Sequence, residues 1–413
     1  MRPAAFAVAA LLVATTAACS GSGHPGAVRP TLPTATSTSV APATTVGTEP
    51  LTTAGATTST TNACSDAAVI RSWPVSRRAA QLVVVPVLAA DPAAVQVAVK
   101  AGAGGLLLLG SVPPGPQLVA ALHAAIADPE TPRPFVMVDQ EGGGVQRLGS
   151  DVVSIPWPRQ MVATMTTAQV QQLAERLARQ MAALGVGVDL APVLDLDGGP
   201  SLSSSDPDGP RSFSTDPSVA ASYGLAFASG LRAGGVLAVA KHFPGLGEST
   251  GNTDYGPAST RPLSDLERAG LIPFQRAVAG GVGAVMVANA GVPGLTSQPA
   301  SVSAPVVTGL LRKRLGFTGL VMTDSLSAGA IRAAGYSVES AAAASIEAGS
   351  DMILFGSTLT PADTAQLQPG PLAALTQSVV AAISKAVATG ALPQSRLDDA
   401  VLHVVRAKGA RLC

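Results

Sequence analysis

The sequence has no surplus of charge and few of the motifs that mark nucleotide-binding or cofactor-dependent proteins. Its 413 residues carry 26 Lys and Arg against 26 Asp and Glu, so the formal net charge is zero. Because no basic surplus is available to hold phosphates, we expect no nucleic acid partner. A phosphate-binding loop, a dinucleotide fingerprint and a Ser-His-Asp arrangement are also missing, and we expect no cofactor.

Cysteine and histidine are scarce as well. The chain has three cysteines and four histidines, and the histidines do not cluster in the sequence. Zinc sites in proteins are built from three or four Cys, His or acidic ligands held close together. The sequence therefore argues against a metal site.

The N-terminal part of the chain predicts export and a linker. Arg2 precedes the apolar run 4–13, which is too short to span a membrane, and small residues then lead to Cys19. This pattern predicts a bacterial lipoprotein signal at 1–18 with Cys19 lipidated. An ordinary secretory signal is the alternative, because Thr16 stands where lipoprotein signals usually carry Leu. Either way, we expect export, and the lipid would anchor the protein to the membrane facing the cell wall or periplasm.

Residues 19–63 are rich in Ser, Thr, Pro and Ala and contain almost no large apolar side chain. Such a segment cannot bury enough surface to offset the entropy lost on ordering, so we predict a disordered linker. The folded domain is predicted at 64–413. We expect it to be monomeric and to meet the membrane only through the N-terminal lipid.

Beyond the linker, continuous apolar runs alternate with helix-like segments. Eight runs are predicted as strands: 81–87, 104–110, 135–139, 187–194, 235–240, 284–289, 320–324 and 352–356. Continuous apolar runs are typical of parallel strands that are buried on both faces. Eight strand–helix units predict an α/β fold, a single (β/α)8 TIM barrel. The rival is an open doubly wound sheet, but the Gly-rich turn that usually follows its first strand is missing here.

Cys64 and Cys413 bracket this predicted domain. The first and last elements of a closed barrel are neighbours, and an exported compartment permits disulfides. We therefore predict a Cys64–Cys413 disulfide that joins the two ends of the domain; two free thiols are the alternative.

Charged residues gather where the predicted strands stop. They are Asp139 and Arg147 after the third run, Arg211 after the fourth, Lys241 and His242 after the fifth, and Asp324 after the seventh. In a TIM barrel these strand ends meet at one mouth, where active sites lie. Exposed ion pairs would stabilise the fold by only about 0–1 kcal/mol each, so a shared site explains the set better. Carboxylates among hydroxyl-binding groups suit glycoside hydrolysis, which needs a nucleophile and a proton donor.

The order of the motifs resembles glycoside hydrolase family 3 over about residues 75–410. The matching runs are Asp139-Gln140-Glu141-Gly142-Gly143-Gly144-Val145-Gln146-Arg147, Ala191-Pro192-Val193-Leu194-Asp195, Arg211-Ser212-Phe213, Lys241-His242-Phe243-Pro244-Gly245 and Thr323-Asp324-Ser325-Leu326. They are most similar to the single-domain β-N-acetylhexosaminidases of the NagZ type, which act in peptidoglycan turnover.

This resemblance implies a retaining exo-β-N-acetylglucosaminidase that removes GlcNAc from muropeptides. Asp324 would be the nucleophile that forms a covalent glycosyl-enzyme. The hydroxyls and N-acetyl group of a β-linked GlcNAc saccharide would be bound by Asp139, Arg147, Arg211, Lys241 and His242.

One departure from the family pattern concerns the acid/base. Hexosaminidases carry Asp-Ser-His where this chain has Asn252-Thr253-Asp254, so the family's histidine is missing. Asp254 is our first candidate, because desolvation and the nearby Asp324 would raise its pKa. Glu248 is the second candidate. A sugar-binding lipoprotein that has lost turnover, and transfer to phosphate instead of water, also stay open.

Aromatic residues make up only 3% of the chain. Stacking against the face of a sugar must therefore be sparse. Tyr255, Trp157 and Phe213 are the candidates, each with packing in the core or in a loop as the alternative role.

Overall fold

The structure is a computed structural model that describes residues 64–88, 91–110, 115–126, 132–203 and 205–413. The predicted signal peptide, Cys19 and the linker lie outside these residues and stay predictions.

The described chain forms a closed barrel of parallel strands. In chain order the strands are β1 (Val83–Leu88), β2 (Gly105–Leu109), β3 (Phe135–Val138), β4 (Gln140–Gly142), β5 (Val145–Gln146), β6 (Val188–Asp189), β7 (Leu237–Phe243), β8 (Ala284–Val287), β9 (Leu320–Ser325) and β10 (Met352–Leu354). The barrel order is β1-β10-β9-β8-β7-β6-β3-β2, and β4 pairs with β5 as a separate hairpin. The predicted (β/α)8 barrel is confirmed.

Helices cover the outside of the barrel. They are α1 (Asp66–Ser72), α2 (Val75–Ala80), α3 (Pro92–Ala101), α4 (Pro116–Ile126), α5 (Pro158–Thr164), α6 (Thr167–Ala183), α7 (Pro217–Ala233), α8 (Leu263–Asp265), α9 (Leu271–Ala279), α10 (Gly329–Ala333), α11 (Val338–Ala348), α12 (Pro361–Gln366), α13 (Pro369–Ala388) and α14 (Gln394–Ala407). Two π-helical segments (Leu266–Gly270 and Pro305–Arg314) and three short 3-10 turns (Gly149–Asp151, Gly209–Arg211 and Ala300–Val302) complete the described elements.

The helix boundaries follow the sequence signals. α6 begins with a capping box, in which the Thr166 side chain accepts from the Gln169 N–H and the Gln169 side chain accepts from the Thr166 N–H. Its buried residues recur at helical spacing and include Val170, Leu177 and Met181. α13 is long and apolar enough to cross a membrane, but it places Leu372, Val379 and Ile383 against the barrel, as a covering helix does.

Charge pairs stabilise the N-terminal end of the barrel, and a disulfide joins the two ends of the described domain. Asp351 accepts hydrogen bonds from Arg312, Arg396 and His403. Burial alone would raise the pKa of this carboxyl, but these three groups hold it below its usual range. Cys64 and Cys413 form a disulfide with their Cα atoms 5.7 Å apart. Interactions at this face serve stability, since chemistry in TIM barrels lies at the opposite end.

Candidate active site

A cavity of about 460 Å³ opens at the C-terminal end of the barrel strands. Seven of the eight predicted catalytic and sugar-binding residues line it: Asp139, Arg147, Arg211, Lys241, His242, Asp254 and Asp324. Residues at or after the ends of four barrel strands, β3, β6, β7 and β9, thus meet in one space, because the carboxyl ends of parallel barrel strands share a mouth.

Glu248, the second candidate for the acid/base, does not line this cavity. It lies in the loop after β7 with its side chain 53% exposed, and its nearest described cation is Arg261, 3.8 Å away. Its backbone φ is +56°, in the left-handed region. The geometry therefore gives no support to Glu248 as the acid/base.

Two cations and two carboxylates form a clamp on one wall of the cavity. Lys241 Nζ lies 2.6 Å from Asp139 Oδ1 and 2.6 Å from Glu141 Oε1. Arg211 donates to both Glu141 oxygens, through Nε at 2.7 Å and Nη2 at 2.8 Å. Burial alone would raise the pKa of Glu141, but Arg211 and Lys241 hold it well below its usual range. The clamp thus keeps both cations charged and fixed in place.

Glu141 was not among the residues predicted to act at the site. It lies in the β4–β5 hairpin two residues after Asp139, and its side chain is almost fully buried. Its place two residues after Asp139, within the polar run that follows the third predicted strand, is the sequence signal that could have identified it.

His242 is held in position by a further carboxylate, that of Asp195. Asp195 accepts hydrogen bonds from the backbone N–H of His242 at 2.9 Å and of Leu246 at 2.6 Å, and it contacts His242 Nδ1 at 2.7 Å. Burial raises the pKa of Asp195 to about 7, and burial together with Arg211 lowers the pKa of His242 to about 4. His242 is therefore neutral at pH 7. When Asp195 is ionised it accepts from Nδ1–H, and Nε2 is then the acceptor atom of the ring.

Asp208 joins this network. Burial and the neighbouring Asp195 raise its pKa to about 8, so it is largely protonated at neutral pH. The ligand atoms of Asp195, Asp208 and His242 lie within 4.8 Å of one another, a spacing that a metal ion could use. Asp195, however, already accepts two backbone N–H groups, and Arg211 lies 3.3 Å from Asp208. These donors favour a hydrogen-bonded support for His242 over a cation site.

Among the described residues that line the cavity, Asp324 and Asp254 are the two carboxyls that form no ion pair with Lys241 or Arg211. Asp324 is the last residue but one of β9, and its side chain accepts the Ser325 N–H at 2.7 Å. Burial raises its pKa; His242 opposes this, and Asp254 adds to it. Burial raises the pKa of Asp254 as well; Arg211 opposes this, and Asp139 adds to it. The charge of Asp254 raises the pKa of Asp324, which opposes ionisation of both groups at once and favours a pair with one ionised and one protonated carboxyl.

The loop that carries Asp254 rests on the element after the Asp324 strand. The Gly329 N–H donates to the Asp254 carbonyl at 2.8 Å, and the Ala330 N–H donates to the Thr253 carbonyl at 2.9 Å. The Asn252 side chain accepts from the Asp254 N–H at 2.9 Å. The first turn of α10 therefore fixes the position of one carboxyl relative to the other.

The three aromatic candidates for stacking against the sugar lie in different environments. Phe213 is buried and packs against Tyr223, with 6.3 Å between the ring centroids. Trp157 covers Gly143, where an added Cβ would lie 1.9 Å from its ring. Of the three, Tyr255 alone lines the cavity, and it is exposed.

The comparison with known proteins agrees with the geometry. Residues 75–407 match the model of the glycosyl hydrolase family 3 N-terminal domain. The chain is 34% identical over 416 residues to β-hexosaminidase LpqI of Mycobacterium tuberculosis, covering 98% of this chain and 97% of that protein. It is 36% identical over 247 residues to a β-hexosaminidase of Xylella fastidiosa, covering 58% of this chain and 70% of that protein.

Solved structures show the same relation. The M. tuberculosis LpqI structure has a TM-score of 0.73 at 33% identity, covering 84% of this chain and 97% of the other. A β-N-acetylhexosaminidase from Beutenbergia cavernae has a TM-score of 0.72 at 30% identity, covering 82% and 99%. These matches confirm the predicted resemblance to β-N-acetylhexosaminidases and the predicted class of glycoside hydrolase. The chain therefore belongs to glycosyl hydrolase family 3.

Proposed function

We propose that this protein is a retaining exo-β-N-acetylglucosaminidase with Asp324 as the nucleophile and Asp254 as the acid/base. The observation that carries the proposal is the pair of carboxyls, Asp324 and Asp254, which line one cavity and both have raised pKa values. Retaining glycosidases need one ionised and one protonated carboxyl at the scissile bond.

The reaction proceeds in two steps. Asp324 attacks C1 of the terminal sugar as the bond from C1 to the aglycone oxygen breaks, and Asp254 gives its proton to that oxygen. The Asp254 carboxylate then takes a proton from water as the water oxygen attacks C1 and releases Asp324. The raised pKa of Asp254 favours the protonated form that the first step requires.

The clamp supplies the binding of the terminal sugar. Lys241, Arg211 and Arg147 present N–H donors to hydroxyl and acetamido oxygens, and Asp139 accepts from hydroxyls. His242 Nε2 accepts one more hydroxyl. Barrel side chains such as Met286 close the floor of the cavity, which suits the end of a saccharide chain and not its middle.

The natural substrate and the location belong to the same proposal. The relatives are named β-hexosaminidases, and we take a β-linked GlcNAc at the end of a peptidoglycan fragment as the substrate. The Cys19 motif supports a lipid anchor that would hold the domain near such fragments. Fatty-acid labelling of the exported protein tests the anchor, and a label that persists in Cys19→Ala would refute it.

The deciding experiment measures hydrolysis of an aryl N-acetyl-β-glucosaminide by the wild type and by Asp324→Asn. We expect turnover by the wild type and a loss of at least about 10³-fold in the variant, since the nucleophile has no substitute. A 5-fluoro glycosyl fluoride should label Asp324 in the wild type. Binding of GlcNAc without turnover would instead establish a sugar-binding protein. Assays with and without phosphate distinguish hydrolysis from phosphorolysis.

A further inference from the structure

The mouth of the cavity differs in chemistry from its floor. Among the described residues, the exposed large hydrophobic side chains are Leu202 at 42%, Tyr255 at 60% and Leu359 at 46% exposure. All three line the cavity. We call these three residues the apolar rim. Single exposed apolar residues are common on protein surfaces, but such side chains gathered at one opening mark an interaction site.

The rim is assembled from three separate parts of the chain. Leu202 lies in the connection after β6, Tyr255 in the loop after β7 and Leu359 in the connection after β10. No local sequence pattern brings them together; the barrel does. Their neighbours in the cavity wall, Ser203 and Thr358, are uncharged, whereas the side chains of the clamp are at most 19% exposed. A ligand group at the mouth therefore meets apolar surface and no ion pair.

The position of the rim relative to the acid/base says which part of a substrate it meets. Asp254 protonates the oxygen between the terminal sugar and the aglycone, and Tyr255 is the next residue, with both side chains lining the cavity. The aglycone begins at that oxygen, so it extends past Tyr255 towards the mouth.

We infer that the apolar rim is an aglycone subsite that binds the second pyranose ring of the substrate through the C–H face of that ring. This inference rests on the proposed function, because it places the terminal sugar on the clamp. Tyr255 supplies a ring surface on which a sugar face can stack, and the two leucines cover the ring edges. The enzyme should therefore select disaccharides and longer chains over glycosides with a small aglycone.

The test compares two readouts in the double variant Leu202→Ser/Leu359→Ser. The first is kcat/KM for the β-1,4-linked GlcNAc disaccharide and for N-acetylglucosaminyl fluoride, which has no aglycone ring. We expect a loss of about tenfold or more on the disaccharide, the order that a covered leucine contributes, and a much smaller loss on the fluoride. Tyr255→Ala should behave in the same way, and Tyr255→Phe should retain the preference. Leu402→Ser, at a partly buried leucine of α14 outside the cavity, is the control for the general effect of replacing a leucine by serine.

The second readout is binding in an Asp324→Asn background, measured by calorimetry. The wild-type rim should bind the disaccharide about tenfold more tightly than GlcNAc, and the double variant should bind both alike. Equal losses on both substrates, or an unchanged binding ratio, would overturn the inference. If the wild type hydrolyses nothing but the binding ratio responds to the rim, the proposed hydrolase activity fails while the rim stands as a saccharide-binding surface.

Discussion

At the scale of single residues, the chemistry depends on how two similar carboxyls acquire different roles. Asp324 must be ionised to attack, and Asp254 must be protonated to donate. Both pKa values are raised by burial, and the charge of Asp254 raises that of Asp324 further. The limbs of a pH profile therefore report the pair as a unit.

Asp254→Asn tests this division of roles. The amide cannot donate a proton, so kcat/KM for a poor leaving group such as the disaccharide should fall by about 10²–10⁴-fold. An activated aryl glycoside needs little protonation of its leaving group, and its glycosylation step should fall far less. Equal losses on the two substrates would exclude Asp254 as the acid. Glu248→Gln, in the same loop but outside the cavity, is the matched control and should lose little on either substrate.

The same variant has a defined effect on the pH profile with the aryl substrate. In the wild type, activity should fall at low pH as Asp324 takes up a proton and at high pH as Asp254 loses one. On the acid limb Asp254 is already protonated and carries no charge to raise the pKa of Asp324, so the neutral amide leaves that limb in place. In Asp254→Asn the acid limb should therefore stay close to its wild-type position and the basic limb should disappear. An unchanged basic limb would assign that limb to another group.

The residues differ in how far the sequence could indicate them. Asp139, Lys241 and Asp324 follow long apolar runs, so their strand-end positions could be predicted. The support of His242 by Asp195 and Asp208 could not, because it joins residues 47 and 34 positions apart through loops that have no regular pattern. Nor could the exposure of Tyr255, since an aromatic next to polar residues serves equally well in loop packing.

At the scale of elements, the short pieces of structure decide the geometry of the site. The eight barrel strands lie in continuous apolar runs, and the long helices α6, α7, α11 and α13 lie in the segments between those runs, so both sets could be predicted. The β4–β5 hairpin and α10 are too short for a periodic signal. Yet the hairpin places Glu141 against Lys241 and Arg211, and α10 holds the loop that carries Asp254.

Gly329 is the residue through which α10 holds that loop. A Cβ at this position would lie 2.5 Å from the Tyr255 backbone carbon and oxygen and 2.8 Å from the Gly256 nitrogen. Gly329→Ala should push the loop away and displace Asp254, because neither side of the contact is a flexible side chain. We expect kcat/KM on the disaccharide to fall by about 10–100-fold, since misplacing a catalytic group by about 1 Å has an effect of this order.

Gly370→Ala is the control for this effect, because a Cβ there meets no atom within 4 Å. The aryl substrate separates the mechanism from a general loss of fold: its glycosylation step should fall less than hydrolysis of the disaccharide, as in Asp254→Asn. If Gly329→Ala lost both activities equally, or kept both, the contact would not position the acid/base.

At the scale of the whole molecule, the two ends of the barrel have different roles: one end holds the cavity, and the other holds interactions that stabilise the fold. The cavity occupies the C-terminal end of the strands, whereas Asp351 with its partners lies before β10 at the other end. The ends of the domain are joined by the Cys64–Cys413 disulfide and by a hydrogen bond from the Leu412 N–H to Asp66 at 2.8 Å. Neither cysteine lines the cavity, so stability and activity should respond to different substitutions.

The double variant Cys64→Ser/Cys413→Ser tests this separation. The disulfide closes a loop with a sequence separation of 349 residues, and a crosslink of this kind stabilises mainly by restricting the unfolded chain. We expect the variant to unfold with a free energy lower by about 2–4 kcal/mol, measured by denaturant titration, with kcat/KM at 25 °C within about twofold of the wild type. Reducing agent should destabilise the wild type by the same amount and leave the double variant unchanged. Equal unfolding midpoints with and without reductant would mean that the bond is not formed in solution. A large loss of activity at equal stability would instead link the chain ends to the site, against the separation that the barrel geometry implies.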